Sequence, residues 1–311
     1  MRNLLVTGGC GFVGSNLIPL LLETGGYRIR VLDNESLGKR SFLGDCDIDF
    51  IHGDLRDRDS VRTAVAGMDA VVHLAADTRV MDSIENPEYN FQVNVIGTFN
   101  LLMAMREAGV TRLVNASTGG AILGEVEPPV HEGMVPHPIA PYGAAKLAVE
   151  GYASAFAGAY GMKAVSLRFS NVYGPRSFHK GSVVAAFFKR ILRGQPLIVY
   201  GDGSQQRDYV YVDDLCDGIR RGIEGDANGI YQLGTGIPSS INQLIEAMRG
   251  TVGDAHPIEV HYEDFRAGEI LHTYCDITQA RGELGYDPTT SLEEGLKPVW
   301  QWFLDNAALY S

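Results

Sequence analysis

The chain has 311 residues, of which 45% are hydrophobic and 21% charged, a balance that is typical of globular proteins and excludes a disordered or fibrous chain. Its 26 Lys and Arg against 38 Asp and Glu give a net charge of −12, and no segment concentrates the basic residues. We therefore expect neither a nucleic-acid partner nor binding to a membrane surface. Four scattered cysteines without metal-ligand spacing predict reduced thiols, no metal site and a cytoplasmic location.

Short apolar strands alternate with helices through the first half of the chain. The predicted strands lie at 3–7, 27–32, 49–52, 70–74, 112–116 and 164–169, and the predicted helices at 12–24, 60–66, 90–108 and 142–160. Continuous apolar strands between helices are typical of a parallel sheet that is covered on both faces. The pattern predicts an α/β fold with a doubly wound parallel sheet.

The alternation breaks down beyond about residue 173. Helices are predicted at 183–193, 212–223, 241–250 and 292–306, with short strands at 197–200 and 230–233. We interpret residues 1–173 as a nucleotide-binding domain that also receives a returning segment at about 207–235. Residues 174–311 then form mainly a smaller C-terminal α/β lobe for the substrate.

A glycine loop follows the first strand directly. Gly9, Gly11 and Gly14 satisfy G-x-G-x-x-G, and Asp33 ends the second predicted strand 19 residues later. Such a loop lets backbone amides approach a pyrophosphate, and an acidic residue at this distance accepts hydrogen bonds from a ribose diol and repels a 2′-phosphate. The pattern predicts a Rossmann-type domain that binds NAD. The alternative is a glycine turn that only packs the helix on the strand.

Two further polar residues end strands of the same domain. Asp54 follows the third strand and could accept from an adenine amino group, or cap the next helix with equal ease. His73 ends the fourth strand, and we interpret it as a buried structural histidine because no second metal ligand lies at a suitable spacing.

A tyrosine and a lysine stand four residues apart in Tyr142-Gly-Ala-Ala-Lys146, on one face of the predicted helix. A neighbouring ammonium and the positive nicotinamide ring together lower the pKa of a phenol, so that Tyr142 could take a proton from a sugar hydroxyl. Ser117 and Thr118 follow the fifth predicted strand, where a hydroxyl could bridge the substrate and Tyr142. Alone, Lys146 could equally be a solvated helix lysine.

The combined motifs resemble the extended short-chain dehydrogenase/reductases, and within them the NAD-dependent nucleotide-sugar epimerase/dehydratase family. The resemblance spans nearly the whole chain and rests on TGGCGFVG, HGDLRD, HLAA, NVIGT, PYGAAK, RFSNVYGPR, GDGSQQRDYVYVDD and RAGEILHTYCDI. It implies bound NAD and a nucleoside-diphosphate sugar substrate, with Tyr142 as the acid/base, Thr118 as the catalytic hydroxyl and Lys146 beside them.

The resemblance also implies which residues bind the two ligands. The residues expected to contact NAD are Gly8, Gly11, Phe12, Val13, Asp33, Asn34, Asp54, Leu55, Leu74, Ala75, Ala76, Asn94, Ser117, Tyr142, Lys146 and Phe169. The residues expected to contact the nucleotide sugar are Thr118, Asn171, Arg176, Val183, Tyr200, Arg207, Arg266 and Glu269. Two arginines can grip a diphosphate, although Arg207 could instead pair with Asp208 or Asp213.

The turn after the fifth strand separates the reactions of this family. Dehydratases resemble S-T-D-E, and decarboxylases carry a Glu in the same stretch, whereas this chain has Ser117-Thr118-Gly119-Gly120. Without those carboxylates, we expect 4-epimerisation through a transient 4-keto sugar. The alternatives are a 4,6-dehydratase, a decarboxylase or a reductase of the same family, and a non-catalytic NAD-sensing scaffold.

The sugar and the oligomer are less clearly indicated. We expect UDP-glucose and UDP-galactose, with an N-acetylated sugar or UDP-glucuronate as alternatives. Arg176, after Gly174-Pro175, is a candidate for reading a C6 carboxylate. The resemblance implies a homodimer in which the helices at 90–108 and 142–160 meet their copies.

Overall fold

A computed structural model describes residues 1–177, 181–265 and 271–310. Its strands are β1 (Arg2–Thr7), β2 (Tyr27–Asp33), β3 (Asp49–His52), β4 (Ala70–His73), β5 (Arg112–Thr118), β6 (Lys163–Phe169), β7 (Asn171–Tyr173), β8 (Leu197–Tyr200), β9 (Gln206–Tyr211), β10 (Gly229–Leu233), β11 (Pro238–Ser240), β12 (Val260–Glu263) and β13 (His272–Thr273). Its α-helices are α1 (Phe12–Thr24), α2 (Arg58–Val65), α3 (Val80–Glu85), α4 (Pro87–Phe91), α5 (Gly97–Ala108), α6 (Gly120–Leu123), α7 (Pro141–Tyr160), α8 (Val183–Leu192), α9 (Val212–Glu224), α10 (Ile241–Val252) and α11 (Leu292–Asp305).

Seven strands form one parallel sheet in the order β10-β6-β5-β4-β1-β2-β3. The strand order reverses between β1 and β4, because the chain runs outward to β3 on one side and to β10 on the other. Thr7, the last residue of β1, lies beside His73, the last residue of β4. In open α/β sheets, ligands bind outside the carboxyl ends of the strands at such a reversal. The predicted doubly wound parallel fold is confirmed.

Both faces of this sheet are buried, which explains its continuous apolar strands. In β1, Leu4 and Val6 belong to one core cluster, while Leu5 between them belongs to a second cluster on the opposite face. Successive side chains of a strand point to opposite faces. The sheet therefore lies between two helical layers, and its strand ends can carry polar residues without opening the core.

A smaller lobe is built around β9. This strand pairs with β7 and β13 in parallel and with β11 in antiparallel orientation, and β8 pairs with β12 separately. The Asp208 carboxylate of β9 organises the lobe by accepting hydrogen bonds from Thr235, Gly236 and Cys275. The sequence did not predict β7, β9, β11, β12 or β13.

The helix predicted at 90–108 is confirmed, but it begins at Pro87 and changes pitch in its first half. There, α4 is followed by a π-helical turn at Gln92–Ile96 before α5 begins. The side chain of Asn94 in this turn accepts from the Asp77 N–H and donates to the Asp77 carbonyl, each at 2.8 Å. The turn thus fixes the segment that follows β4. No helix within the described ranges is long and apolar enough to cross a membrane.

Candidate active site

The glycine loop lies where the strand order reverses. Gly8 has a φ of +69°, and a Cβ placed on it would lie 2.5 Å from the backbone nitrogen of Ala75. Only glycine combines this backbone conformation with this close approach. Because Leu74, Ala75 and Ala76 follow β4, the loop and this segment form one edge beside the start of α1, which carries Phe12 and Val13. This shape fits a pyrophosphate held by backbone amides.

Asp33 is buried and joined to this loop. Its carboxylate accepts from the Cys10 N–H at 2.9 Å and from the Glu35 N–H at 2.7 Å. A carboxylate offers about four acceptor positions, so two remain for a ribose diol. The predicted role of Asp33 in binding NAD is compatible with this geometry and stays a prediction.

The predicted contact of Asp54 with adenine is not supported by its surroundings. Its carboxylate accepts from Arg56 through the backbone N–H and the guanidinium, and from Asn34 Nδ2 at 2.9 Å. These bonds occupy its acceptor positions and hold its pKa well below the usual range. The contact with adenine stays a prediction, whereas the alternative that Asp54 caps the next helix is wrong, because Asp57 caps α2.

Leu55 and His73, which the sequence analysis also singled out, are buried in the interior. Leu55 is buried, and a Cβ on Gly97 of α5 would lie 2.8 Å from its Cβ. His73 joins Thr7 Oγ1 at 2.7 Å and Thr98 Oγ1 at 2.8 Å. Burial lowers the pKa of His73 to about 3, so this histidine is a neutral structural link between β1, β4 and α5, as predicted.

The tyrosine and the lysine lie at the start of α7. The Tyr142 N–H donates to Ser83 Oγ at 3.2 Å, which fastens the first helical turn to α3. The Lys146 ammonium is buried and donates to the Ala116 carbonyl of β5 at 2.7 Å. The alternative of a solvated helix lysine is therefore wrong. Burial lowers the pKa of Lys146 to about 8, so it is mostly charged at neutral pH.

The pKa of Tyr142 is raised by the surroundings that the chain itself provides, whereas the sequence predicts that Lys146 and the nicotinamide ring together lower it. Tyr142 is 9% exposed. Burial is the larger cause of the rise, and the negative charge of Asp77 adds to it. The ammonium of Lys146 donates to a carbonyl of β5, and the nicotinamide ring on which the prediction also relies is not part of this chain, so a lowered pKa in the presence of NAD stays a prediction.

Ser117 and Thr118 are the last two residues of β5 and have different surroundings. Ser117 is buried, and its hydroxyl donates to Glu150 Oε1 at 2.6 Å. The prediction that the Ser117 hydroxyl could bridge the substrate and Tyr142 is therefore wrong, because this hydroxyl is bonded to Glu150 in the interior. Thr118 is half-buried and pairs with Phe169 at the end of β6, and it stays the candidate.

The predicted substrate residues are distributed over the second lobe. Asn171 begins β7 and is exposed, Val183 begins α8, and Tyr200 ends β8. Arg207 donates to the Leu271 carbonyl at 3.2 Å. The carboxylate of Asp208 is taken up by residues 235, 236 and 275 instead. Arg266 and Glu269 lie outside the described residues.

Arg176 lies after β7 and is bonded to α1. It has a φ of +64°, and its guanidinium donates to the Ser15 carbonyl of α1. Asn16 donates to the neighbouring Pro175 carbonyl at 3.1 Å. These bonds fasten the segment after β7 to α1, and the reading of a C6 carboxylate by Arg176 stays a prediction.

Sequence and structure comparisons identify the family of this chain. Residues 4–234 match the NAD dependent epimerase/dehydratase family. The chain belongs to this family. It is 35% identical to the UDP-glucose 4-epimerase of Mycolicibacterium smegmatis over 308 residues, which cover 96% of this chain and 97% of the relative.

Solved structures of epimerases share the whole fold of this family member. The UDP-glucose 4-epimerase of Thermotoga maritima with UDP-glucose is 38% identical, with a TM-score of 0.92 over 98% of this chain and 99% of the other. The UDP-glucose 4-epimerase of Thermus thermophilus in complex with NAD is 36% identical, with a TM-score of 0.90 over 98% and 99%.

The sequence missed some polar residues behind the site of this epimerase/dehydratase family member. Glu150 and Arg168 form a buried ion pair that receives the Ser117 hydroxyl, and Asp77 acts on Tyr142. A lone arginine in the apolar strand Lys163–Phe169 and a glutamate four residues after Lys146 were the available signals. Among the described residues, no three His, Cys, Asp or Glu side chains gather into a group that could hold a metal.

Proposed function

We propose that this protein is an NAD-dependent 4-epimerase of nucleoside-diphosphate sugars, with UDP-glucose and UDP-galactose as its preferred pair. The observation that carries the proposal is the junction of α7 and β5. Lys146, one helical turn after Tyr142, is bonded to β5, and the turn after Thr118 continues as Gly119-Gly120 without a carboxylate. A proton carrier beside a strand end suits oxidation of a hydroxyl, while the turn lacks the acids that an elimination uses.

The chain has the parts to bind NAD and to move a proton. The Gly8 loop and Asp33 would hold NAD, which when bound supplies hydride acceptance and return at the sugar carbon. Tyr142 would take the proton of the sugar 4-hydroxyl and give it back to the 4-keto oxygen. Lys146, charged at neutral pH, provides positive charge one helical turn further along the same helix, which favours the phenolate during this transfer.

The carboxylates near Tyr142 have structural partners, which supports epimerisation over dehydration. Asp77 accepts from Asn90 at 3.1 Å. Glu150 is bonded to Arg168 and Ser117. Glu150 is therefore not a free acid or base for removing water from the sugar, and Asp77 is held in place by Asn90. The two-step hydride exchange needs only the proton carrier Tyr142.

Epimerisation needs a firm hold on the nucleotide and a loose hold on the sugar, because the sugar must present both faces. We propose that the second lobe holds the uridine diphosphate through Asn171, Val183, Tyr200, Arg207, Arg266 and Glu269. Binding energy from this part of the substrate, remote from the reacting carbon, can then serve catalysis.

The test is to incubate purified protein with NAD and, separately, with UDP-glucose, UDP-galactose, UDP-N-acetylglucosamine and UDP-glucuronate, and to follow the products by proton NMR. We expect inversion at C4 of at least one UDP-hexose with substoichiometric NAD. Tyr142→Phe is the matched inactive control.

Each alternative has its own product in this assay. A 4-keto-6-deoxy sugar from dTDP-glucose would indicate a dehydratase, loss of CO₂ from UDP-glucuronate a decarboxylase, and consumption of one NADH per product a reductase. If NAD bound but no sugar nucleotide changed, the protein would be an NAD-sensing scaffold and our proposal would be wrong.

We also propose that the protein is a cytoplasmic homodimer. All four cysteines are unbonded, which suits a reducing compartment. The outer face of α7 exposes Gly151, Tyr152, Ser154, Ala155, Gly158, Ala159 and Tyr160. Phe99 of α5 packs edge-on against Tyr152 with ring centroids 5.4 Å apart, so the two helices present one continuous surface. Small and aromatic residues together suit close helix packing between two copies.

A further inference from the structure

A buried ion pair lies directly behind the candidate site. Glu150 of α7 accepts from Arg168 Nε of β6 at 2.9 Å and from Arg168 Nη2 at 2.8 Å. Each side chain is 2% exposed. Ser117 Oγ adds a third bond to Glu150 at 2.6 Å. Desolvation offsets most of the attraction in such a pair, and apolar residues of similar volume are often as stabilising. Stability alone therefore gives little reason for charges here.

The pair is placed to act on Lys146. Glu150 is four residues after Lys146, so the two side chains share a face of α7. Lys146 bonds the carbonyl of Ala116, and Ser117, the next residue of β5, bonds Glu150. The helix thus contacts the end of β5 through both side chains, one of them positive and one negative.

Two charged or titratable groups interact with this ammonium, Glu150 on α7 and His73 on β4. Other such groups on the packed elements are Tyr142 on α7, Arg168 on β6, which is bonded to Glu150, and Asp77 after β4, which acts on Tyr142. His73 is neutral above about pH 3. Burial lowers the pKa of Lys146, and Glu150 is the group that opposes this effect.

We propose that Glu150, held in place by Arg168, is a positioning residue that keeps the buried Lys146 ammonium charged at neutral pH and fixes the end of β5 that carries Thr118. The role deepens the reaction proposed above and rests on it. Without Glu150, burial would act on Lys146 unopposed, and the unpaired Arg168 guanidinium would repel the ammonium. Lys146 would then lose its proton at lower pH, and with it the positive charge that favours the Tyr142 phenolate.

The first measurement does not depend on activity. The chain has six lysines, so ¹³Cε-lysine labelling gives six signals. The signal that is lost in Lys146→Met belongs to Lys146. We expect Glu150→Gln to move the titration midpoint of Lys146 down by about 1 to 3 pH units. An unmoved midpoint in a folded Glu150→Gln protein would overturn the proposal.

Substitutions of opposite sign separate this role from a purely structural one. Arg168→Met removes the positive partner and leaves the carboxylate, so the Lys146 midpoint should not fall. In Glu150→Gln/Arg168→Met both charges are absent, which removes the unpaired charge left by each single change. The double variant should regain melting temperature relative to Glu150→Gln, while its Lys146 midpoint stays below that of the wild type. If Glu150→Gln does not fold, the double variant provides the Lys146 midpoint in its place.

The pH profile of turnover gives the second measurement. The basic limb of kcat should move to lower pH in Glu150→Gln and in the double variant, but not in Arg168→Met. Equal limbs in all three variants, with only melting temperature reduced, would mean that the pair is structural. If the wild type epimerises no sugar, the proposed function fails, while the lysine titration still decides the role of Glu150.

Discussion

Tyr142 is the residue on which the proposed chemistry depends most directly. Tyr142→Phe removes the hydroxyl and keeps a ring of the same shape in a site that is 9% exposed. We expect kcat to fall by about 10²- to 10⁴-fold, the usual contribution of a positioned acid or base, with little change in melting temperature. NMR conversion assays and thermal unfolding measure the two effects.

The matched control for this change is Tyr27→Phe. Tyr27 begins β2, at the end of the sheet opposite to the site, and its hydroxyl donates to Glu224 at 2.7 Å. Its loss should leave turnover unchanged. Full activity of Tyr142→Phe would remove the proposed mechanism, whereas equal losses in both variants would indicate a general effect of losing a tyrosine hydroxyl.

Asp33 and Asp54 offer a second comparison, because the sequence predicts that both contact NAD but at different parts of it. Asp33→Asn should weaken NADH binding by about 10- to 100-fold, the value of a hydrogen bond to a charged group, and reduce the preference over NADPH. Asp54→Asn should change NADH affinity much less, because Arg56 and Asn34 already occupy that carboxylate. Fluorescence titration with each dinucleotide measures both. A larger loss in Asp54→Asn would reverse the assignment.

Elements with a clear hydrophobic period and boundary residues were predictable from the sequence. Phe12–Thr24 and Asp49–His52 have the predicted bounds. The strands Pro238–Ser240 and His272–Thr273 were not predicted, because two or three residues contain no period and their pairing with β9 is set by distant parts of the chain.

The site was predictable in position but only partly in chemistry. The glycine loop, Lys146 and Tyr142 carry local signals, so the sequence located them. The pKa of Tyr142 depends on burial and on Asp77. The Ser117 hydroxyl is bonded to Glu150, which Arg168 of the neighbouring strand β6 holds in place. Such effects come from elements brought together by the fold, which local spacing does not reveal.

The hydrogen-bonded link of β1, β4 and α5 through His73 gives a prediction at the scale of elements. The pKa of His73 in the folded protein, about 3, lies below the value near 6.5 of an unfolded histidine. Between these values the unfolded chain binds the extra proton, so stability falls as pH falls, by up to about 1.4 kcal/mol per pH unit. Above about pH 6.5 this contribution to the pH dependence ends.

Urea denaturation at pH 7 and pH 5 gives the unfolding free energy at each pH and so measures the contribution of His73. Relative to the wild type, His73→Gln should lose about 2 kcal/mol of the pH-dependent difference in unfolding free energy. It should also be less stable at pH 7, because the bonds to Thr7 and Thr98 are disturbed. His52→Gln, at an exposed position, is the control and should keep the full pH dependence. An unchanged difference in His73→Gln would contradict the assignment of this proton.

At the scale of the whole molecule, the helix that carries Tyr142 and Lys146 also presents the proposed dimer surface. Exposed aromatic residues are frequent there: Tyr152 is 43% exposed, Tyr160 49% and Phe91 47%. A stable homodimer buries about 1,200–2,000 Å² in total, which is more than one helix face supplies, so α4, α5 and α7 must contribute together. Packing on this surface would restrain α7 from its outer side, while β5 restrains it from within.

Tyr152→Glu tests this surface, because a carboxylate at the centre of a packed helix interface is desolvated without a partner. We expect sedimentation velocity to give a dimer for the wild type and a monomer for Tyr152→Glu, with a lower melting temperature in the variant. Leu304→Glu on α11, where the leucine is 37% exposed, introduces the same charge on another surface and should remain dimeric. A monomeric wild type, or a Tyr152→Glu protein that stays dimeric, would place the contact between copies elsewhere or exclude it.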